Sequence, residues 1–244
     1  MKSTAIIIPT RLNAKRFPNK PLAKIMNIPM IVHVVNRARE ASIGQVIVAT
    51  PDQEIIEIVK KNNGQAILTK KDHPSGSDRV FEAYSKIFEN KVDLIINLQG
   101  DMPNIDPSSI SKLENLMRNN ECDIGTLSSL IKDKKELEDI NIVKLQVERD
   151  LKDNDFLNVK DFFRKSDNLS NKKIYHHIGI YAFTSVALKK YVQLKRSNLE
   201  IERNLEQMRA MENKMIVKTG FTKSYPLGVD TSKDLEKVIE EIKK

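Results

Sequence analysis

The first half of the chain alternates between short apolar runs and segments in which apolar residues recur every three to four positions. The apolar runs, which predict buried strands, lie at Ile6–Pro9, Gln45–Thr50, Gln65–Thr69 and Val92–Leu98. The segments with helical periodicity lie at Pro29–Ala41, Ile55–Asn62 and Asp106–Asn119, with a further one ending at Phe88. Strands and helices that alternate at this spacing are typical of βαβ units. We therefore predict an α/β fold, a three-layer sandwich with a mostly parallel, Rossmann-like sheet and helices on both faces.

The second half of the chain has a less regular pattern. CDIGTLSSLI, NIVKLQVE and the segment Ile174–Phe183 predict strands, and the charged segment Lys132–Asp139 predicts a short helix. A helical period also runs through LEIERNLEQMRAMEN. Near the C-terminal end, Thr231 or Ser232 is placed to cap a last amphipathic helix.

Composition and charge narrow the classes of function. The chain has 244 residues and a formal net charge of +8, but basic and acidic residues are interleaved, without an aromatic-flanked RNA-binding motif. We expect no nucleic-acid partner, although a one-sided basic groove is the alternative, and part of the charge fits a site for anionic substrates. No apolar run reaches the ~18–20 residues of a membrane helix, so we expect no membrane insertion. The single Cys122 fits a reducing compartment, and we predict a cytoplasmic protein.

A basic loop follows the first predicted strand. Prolines at 9, 18 and 21 prevent the segment from continuing as a helix or an interior strand, and it contains Arg11, Arg16 and Lys20. Because positions 9–22 have no glycine, the glycine-rich phosphate loops are excluded, and cationic side chains would have to bind a polyphosphate. The alternative is a solvated surface loop.

The fourth predicted strand delivers polar residues to the carboxyl edge of the sheet, where open α/β sheets bind ligands. Gln99, Gly100 and Asp101 follow it directly. A carboxylate beside a triphosphate suits Mg²⁺, which usually takes one or two protein carboxylates together with phosphate oxygens and water. Otherwise Asp101 makes a turn with Pro103.

Three further segments carry candidate residues with structural alternatives. In DHPSGSDRV, Ser77 or Asp78 could cap the helix that follows. In HHIGIY, His177 could be a polar strand residue, and the absence of Cys or carboxylate at ligand spacing argues against zinc. In GVDTSKDLE, Gly228 permits a tight turn, and Asp230 could serve as a helix cap.

These segments together resemble a known family. The loop IIIPTRLNAKRFPNKPL resembles the P-x-R-x-x-S-x-R-x-P-x-K-P-L signature of sugar-activating nucleotidyltransferases, with Ala14 in place of the usual serine. PMIVHVVNRARE, DHPSGSDRV, NLQGDMP, HIGIY, LEQMR and GVDTSKDLE extend the resemblance, in order, to the 3-deoxy-manno-octulosonate cytidylyltransferases (CMP-Kdo synthetases). The resemblance implies one nucleotidyltransferase domain over 1–244, with an inserted lobe at about 131–173 that serves dimer contacts and sugar binding.

The resemblance also implies roles for individual residues. The nucleotide CTP would contact Arg11, Arg16, Lys20, Ser75, Gly76, Arg79 and Gln99. Lys20, Arg11 and Asp101 would be catalytic, and Asp101 and Asp230 would hold Mg²⁺. The sugar would contact Arg164, His177, Glu206 and Gln207. Met102 stands where many members of the family have a second acid, and the sequence around Arg164 departs from the family pattern.

The implied reaction is the transfer of a cytidylyl group from CTP to 3-deoxy-D-manno-octulosonate (Kdo), for lipopolysaccharide biosynthesis, by a homodimer. Two other functions remain open from the sequence. One is a cytidylyltransferase for another acidic sugar, such as 8-amino-Kdo or a nonulosonate, and the other is a non-catalytic module that binds nucleotide or RNA.

Overall fold

A computed structural model describes residues 3–13, 16–165 and 173–243. Ala14, which stands in place of the serine of the family signature, therefore lies outside the described residues. The strands are β1 (Thr4–Pro9), β2 (Lys24–Ile25), β3 (Ile28–Pro29), β4 (Gly44–Thr50), β5 (Ala66–Leu68), β6 (Leu94–Leu98), β7 (Ile124–Ser129), β8 (Lys144–Val147), β9 (Phe156–Asn158), β10 (Asp161–Phe163), β11 (Lys173–Thr184) and β12 (Val217–Phe221). The helices are α1 (Met30–Glu40), α2 (Gln53–Lys61), α3 (Gly76–Ile87), α4 (Pro107–Asn119), α5 (Lys135–Glu138), α6 (Ser185–Gln193), α7 (Asn198–Arg203), α8 (Gln207–Glu212) and α9 (Ser232–Ile242), with a 3-10 turn at Lys20–Leu22.

The chain forms two compact units, the first made of 1–111 and 226–244 and the second of 112–225. In the first unit, β5, β4, β1 and β6 lie side by side in that order and are parallel. Every residue of β1 and β6 is buried, as expected for strands covered on both faces. The predicted α/β class with a mostly parallel sheet is confirmed.

The second unit is a mixed sheet. Strands β11, β7, β12 and β9 are neighbours in that order; β12 is parallel to β7, and β11 and β9 are antiparallel to their partners. The segment 131–165, part of the predicted inserted lobe, lies within this unit and includes the strands β8, β9 and β10. The rest of that lobe, up to 172, lies outside the described residues. The prediction of a single domain with this inserted lobe stays a prediction.

Two local predictions were wrong in detail. Helix α3 is capped by Ser75, whose hydroxyl accepts from the backbone N–H of Asp78, and not by Ser77 or Asp78. The helical period of LEIERNLEQMRAMEN is broken into α7 and α8, because Asn204 takes a left-handed conformation with φ of 51°. Asparagine tolerates this conformation better than most residues, and it ends α7 there.

No helix within the described residues combines the length and apolar character needed to cross a bilayer.

Candidate active site

A cavity of about 300 Å³ opens in the first unit at the carboxyl ends of β1 and β6. This is the edge at which parallel α/β sheets bind ligands, because the chain leaves each strand there as a loop. The lining residues are Pro9, Thr10, Arg11, Lys20, Pro21, His73, Pro74, Ser75, Gly76, Arg79, Gln99, Gly100 and Asp101. The structure therefore brings three loops together that are far apart in sequence, and six of the seven predicted nucleotide-binding residues line one cavity.

Lys20 lies between the two predicted metal carboxylates. Its ammonium Nζ donates to Asp101 Oδ2 at 2.9 Å and to Asp230 Oδ1 at 3.3 Å. Burial alone would lower the pKa of Lys20, but the charges of Asp101 and then Asp230, with their hydrogen bonds, outweigh it and raise the pKa above the ordinary value. Lys20 is therefore a fixed positive charge in the cavity wall.

The seventh residue, Arg16, contacts a carboxylate instead of the cavity. Its guanidinium donates to Asp230 Oδ2 at 2.8 Å, and its side chain is exposed. Arg16 and Lys20 thus both contact Asp230, so the basic loop and the C-terminal segment meet through charge. The loop is not merely a solvated surface segment.

Backbone hydrogen bonds hold Asp230 beside Asp101. The N–H of Val229 donates to the carbonyl of Asp101 at 2.9 Å, and the N–H of Leu227 donates to the side chain of Asn104 at 3.1 Å. The cap of α9 is Thr231, which forms a reciprocal capping box with Asp234. The capping alternative for Asp230 is therefore excluded, and its carboxylate stays available to the site.

An apolar cluster packs beside the basic loop and the segment that carries Asp230. It consists of Ile25, Met30, Val229 and Val238, with Phe17, Leu227, Leu235 and Ile239 packed against it. Phe17 belongs to the basic loop and Val229 precedes Asp230, so burial of these side chains fixes both segments. Gly228 has no positive φ, and a Cβ added to it would meet no atom within 4 Å, so this turn does not require glycine.

The two carboxylates fit the chemistry of Mg²⁺. Asp101 and Asp230 keep 31% and 45% of their side-chain surface exposed and share one ammonium ligand, so both are accessible to a cation. Among the described residues, no group of three or more His, Cys, Asp or Glu forms a metal site. Two carboxylates match what Mg²⁺ usually takes from a protein when phosphate oxygens and water complete its shell. Met102 is buried and apolar, so it adds no ligand.

The remaining cavity wall contains mainly uncharged polar groups. Gln99 Nε2 donates to Asn97 Oδ1 at 3.1 Å, and Asn97 Nδ2 donates to Ser77 Oγ at 3.3 Å. These two hydrogen bonds fix the side-chain amide of Gln99 and leave its Oε1 as an acceptor at the cavity. A Cβ on Gly76 would lie 3.8 Å from that oxygen, so the start of α3 packs directly against Gln99.

Arg79 has a structural role in addition to its place at the cavity. Although it lines the cavity, it is 4% exposed, and its guanidinium donates to Thr69 Oγ1 and to the carbonyls of Lys70 and Lys71. Burial, together with the charge of Arg11, lowers its pKa. Arg79 therefore holds the loop before His73 in place and contributes positive charge to the cavity from behind.

Sequence reasoning missed the residue that anchors the basic loop. Asp52 Oδ2 accepts the backbone N–H of Leu12 at 2.8 Å, while the N–H of Asp52 donates to Thr50 Oγ1. Asp52 precedes α2 and would be interpreted from sequence as its cap, but its side chain makes no capping bond. Its carboxylate instead fixes the backbone beside Arg11.

In the second unit, the predicted sugar residue His177 lies on β11 beside a β-bulge between Ile178 and Tyr181. Thr126 Oγ1 lies 2.7 Å from the carbonyl of Ile180 and 3.1 Å from that of Ile178, so its proton goes to a carbonyl. It must then accept from His177 Nε2, at 3.0 Å. Burial lowers the pKa of His177 to about 3, so the ring is neutral and its Nδ1 is an acceptor.

Tyr181, which the sequence patterns did not single out, lies beside the predicted sugar residue His177. The rings of Tyr181 and His177 have centroids 5.4 Å apart. Burial raises the pKa of Tyr181 well above its usual value, the charge of Glu206 raises it further, and that of Arg164 lowers it. Residues four apart on a regular strand lie about 13 Å apart, so the bulge is what brings the two rings together, and the strand pattern gave no signal of it.

Arg164 and Gln207 have defined surroundings in this unit. Arg164 Nη1 donates to the carbonyls of Ile140 and Asn141, at 3.0 and 3.3 Å. Gln207 is 6% exposed, and its Nε2 has no hydrogen-bond partner in the part of the chain that the structure describes. A buried amide N–H without a partner costs free energy, which a bound polar ligand would recover.

The chain is similar to known proteins over most of its length. The cytidylyltransferase family matches residues 5–219. The 3-deoxy-manno-octulosonate cytidylyltransferase of Brucella canis is 41% identical over 235 residues, which cover 96% of this chain and 93% of the relative. The enzyme of the same name from Bartonella tribocorum is 42% identical over 234 residues, 96% of each chain.

Solved structures show the same fold. The structure of a CMP:2-keto-3-deoxy-manno-octonic acid synthetase complexed with CTP superimposes with a TM-score of 0.88 at 33% identity, covering 99% of both chains. UTP-bound UGPase from Acinetobacter baumannii matches with a TM-score of 0.71 at 17% identity, covering 99% of this chain and 93% of the other, which supports the fold alone.

Proposed function

The chain belongs to the cytidylyltransferase family, and we propose that it transfers the cytidylyl group of CTP to Kdo, which gives CMP-Kdo and pyrophosphate. The observation that carries the proposal is the placement of Lys20 between Asp101 and Asp230 in the wall of the cavity. This is an arrangement for holding a polyphosphate and a divalent cation together. It stands at the strand ends of a chain whose fold matches that of a relative complexed with CTP.

The transfer is an in-line displacement at phosphorus. The anomeric hydroxyl of the sugar forms a bond to the α-phosphorus of CTP and loses its proton, while the bond from that phosphorus to the bridging oxygen breaks and pyrophosphate leaves. Such reactions depend mainly on positioning and charge neutralisation. No covalent enzyme intermediate is required.

The residues of the first unit provide that charge. Lys20 and Arg11 neutralise the triphosphate, and Arg16 orients the carboxylate of Asp230 through a 2.8 Å contact. Asp101 and Asp230 would hold Mg²⁺, which supplies Lewis-acid stabilisation of the phosphate oxygens when bound. Asp52 keeps the loop that presents Arg11 in register with the strand ends.

The residues of the second unit would bind the sugar. Neutral His177 offers Nδ1 as an acceptor for a hydroxyl, and the buried Nε2 of Gln207 offers a donor. Arg164 is the proposed partner of the sugar carboxylate, since an arginine guanidinium binds carboxylates with two parallel hydrogen bonds. Homodimer formation and the role in lipopolysaccharide biosynthesis stay predictions from the family resemblance, and the cytoplasmic location stays a prediction from the sequence.

Pyrophosphate release tests the function directly. The chain is incubated with CTP, Mg²⁺ and one of four acceptors: Kdo, 8-amino-Kdo, N-acetylneuraminate or a hexose 1-phosphate. We expect release that depends on Kdo, and product mass equal to that of CMP-Kdo. Preference for 8-amino-Kdo or N-acetylneuraminate would reassign the sugar, release with the hexose phosphate alone would refute an acidic acceptor, and CTP binding without turnover would favour a non-catalytic module.

A further inference from the structure

His73 lines the cavity but has no assigned role in the reaction. Its Nε2 lies 2.5 Å from Glu82 Oε2, and both side chains are largely buried, with 12% and 13% of their surface exposed. Glu82 itself does not line the cavity. The imidazole is therefore held by a carboxylate that lies outside the cavity lining, and it belongs to a residue of the cavity wall.

The environment of Glu82 decides which ring nitrogen carries a proton. Glu82 also accepts the backbone N–H of Lys70 at 2.9 Å and the ammonium of Lys86 at 2.6 Å. Burial would raise the pKa of Glu82, but these hydrogen bonds and the one from His73 lower it to about 2. An ionised carboxylate only accepts hydrogen bonds, so His73 Nε2 must be the donor. In the neutral ring, Nδ1 is then an acceptor.

Nδ1 has no hydrogen-bond partner among the residues that the structure describes, and it is not a fully buried atom. His73 is one of the residues that line the cavity. Gln99 adds a second acceptor at the same cavity, because its Nε2 is used by Asn97 and its Oε1 is left over. The described part of the cavity wall thus contains uncharged acceptors in addition to its cations and carboxylates.

Charge divides the cavity between the parts of a nucleotide. Lys20, Arg11 and the carboxylate pair suit the triphosphate and its cation, so the neutral wall formed by His73, Ser75 and Gln99 is left for the neutral part, the base and ribose. Cytosine and uracil differ at one exocyclic group: cytosine has an amine, which donates, and uracil has a carbonyl, which accepts. Acceptors in the wall favour the amine and oppose the carbonyl.

Resting on the proposed function, we propose that His73, oriented by Glu82 and uncharged when nucleotide binds, directs Nδ1 into the cavity, accepts a hydrogen bond from the exocyclic amine of cytosine and so selects CTP over UTP. A uracil carbonyl facing His73 Nδ1 leaves two acceptors opposed and both unsatisfied. A buried polar group without its partner typically costs enough to change binding about tenfold or more. The substitution His73→Ala removes both the preferred contact and the repulsion.

The test measures dissociation constants for CTP and UTP by calorimetry with Mg²⁺ present and without sugar. We expect wild type to prefer CTP, and His73→Ala to reduce the ratio of the two constants about tenfold, mainly through weaker CTP binding. Glu82→Ala should reduce the ratio in the same direction. The controls Asp72→Ala, at an exposed neighbour of His73, and Lys86→Ala, which removes the other side-chain donor to Glu82, should leave the ratio within about twofold of wild type.

A nucleotide that lacks the exocyclic amine tests the same contact in the wild-type protein, so this result does not depend on whether the variants fold. A 2-pyrimidinone ribonucleoside triphosphate should bind the wild-type protein about tenfold more weakly than CTP does. The His73→Ala variant should bind this analogue and CTP with about equal affinity. An unchanged ratio in His73→Ala, equal weakening of both nucleotides, or wild-type binding of this analogue as tight as that of CTP would overturn the role of His73. If wild type binds neither CTP nor UTP, the proposed function itself fails, and the inference falls with it.

Discussion

Replacement of Asp230 by asparagine separates catalytic function from stability. The carboxylate contacts Lys20 and Arg16, and 45% of the Asp230 side chain and 58% of the Arg16 side chain are exposed. Exposed ion pairs contribute about 0–1 kcal/mol, so we expect the free energy of unfolding to change by less than about 1 kcal/mol. The fold around it depends on Val229 and on the capping box of Thr231, which the change leaves intact.

The catalytic effect should be much larger. An amide at position 230 would remove one of the two proposed anionic metal ligands while preserving side-chain size. Metal-ion stabilisation of a phosphoryl transition state amounts to several kcal/mol, so we expect the rate to fall at least ~100-fold, equivalent to about 2.7 kcal/mol. Asp101→Asn should have a comparable effect, because Lys20 contacts the two carboxylates in the same way.

The assay is steady-state pyrophosphate release at several Mg²⁺ concentrations, with thermal melts of each variant. Asp153→Asn is a matched control, since its carboxylate is exposed and pairs with Lys112 in the second unit. We expect Asp230→Asn to melt near wild type and to need more Mg²⁺. Wild-type turnover and wild-type Mg²⁺ dependence in Asp230→Asn would refute the two-carboxylate site.

Three further predictions address the loop, the core and pH. Lys20→Ala and Arg11→Ala should weaken CTP binding in calorimetry far more than Lys24→Ala, which does not line the cavity, and equal small effects would return the loop to a solvated surface role. Arg209→Ala should lower the free energy of unfolding in urea by about 3–5 kcal/mol, because it leaves the buried Glu200 without its bidentate partner; a change below about 1 kcal/mol would contradict this. The pKa of His177 is about 3 in the folded state and about 6.5 in the unfolded state. Between these two pH values only the unfolded state binds the proton, so the free energy of unfolding decreases as the pH drops below 6.5. At pH 5 His177 should lower the free energy of unfolding by about 2 kcal/mol, and urea titrations of His177→Gln should not show this decrease. An identical pH dependence in both proteins would show that His177 is not buried in its neutral form.

The sequence by itself determined the elements of the first unit. The buried strands β1, β4 and β6 are continuous apolar runs, and α1 and α2 have regular apolar periods, so local patterns were sufficient to place them. The backbone of the basic loop was also predictable, because proline at 9, 18 and 21 restricts it whatever surrounds it. Position at a strand end then placed Asp101 at the cavity.

Only the tertiary structure decided which groups act together. Asp230 lies 129 positions after Asp101 in the chain, and a backbone hydrogen bond from Val229 and a shared contact with Lys20 bring the two side by side. Asp52, Tyr181 and the pair of His73 with Glu82 carry no local signal, since their roles depend on partners that the fold supplies. A sequence pattern reports which residues face the core, whereas hydrogen-bond partners and proton positions depend on distances that exist only after the chain has packed.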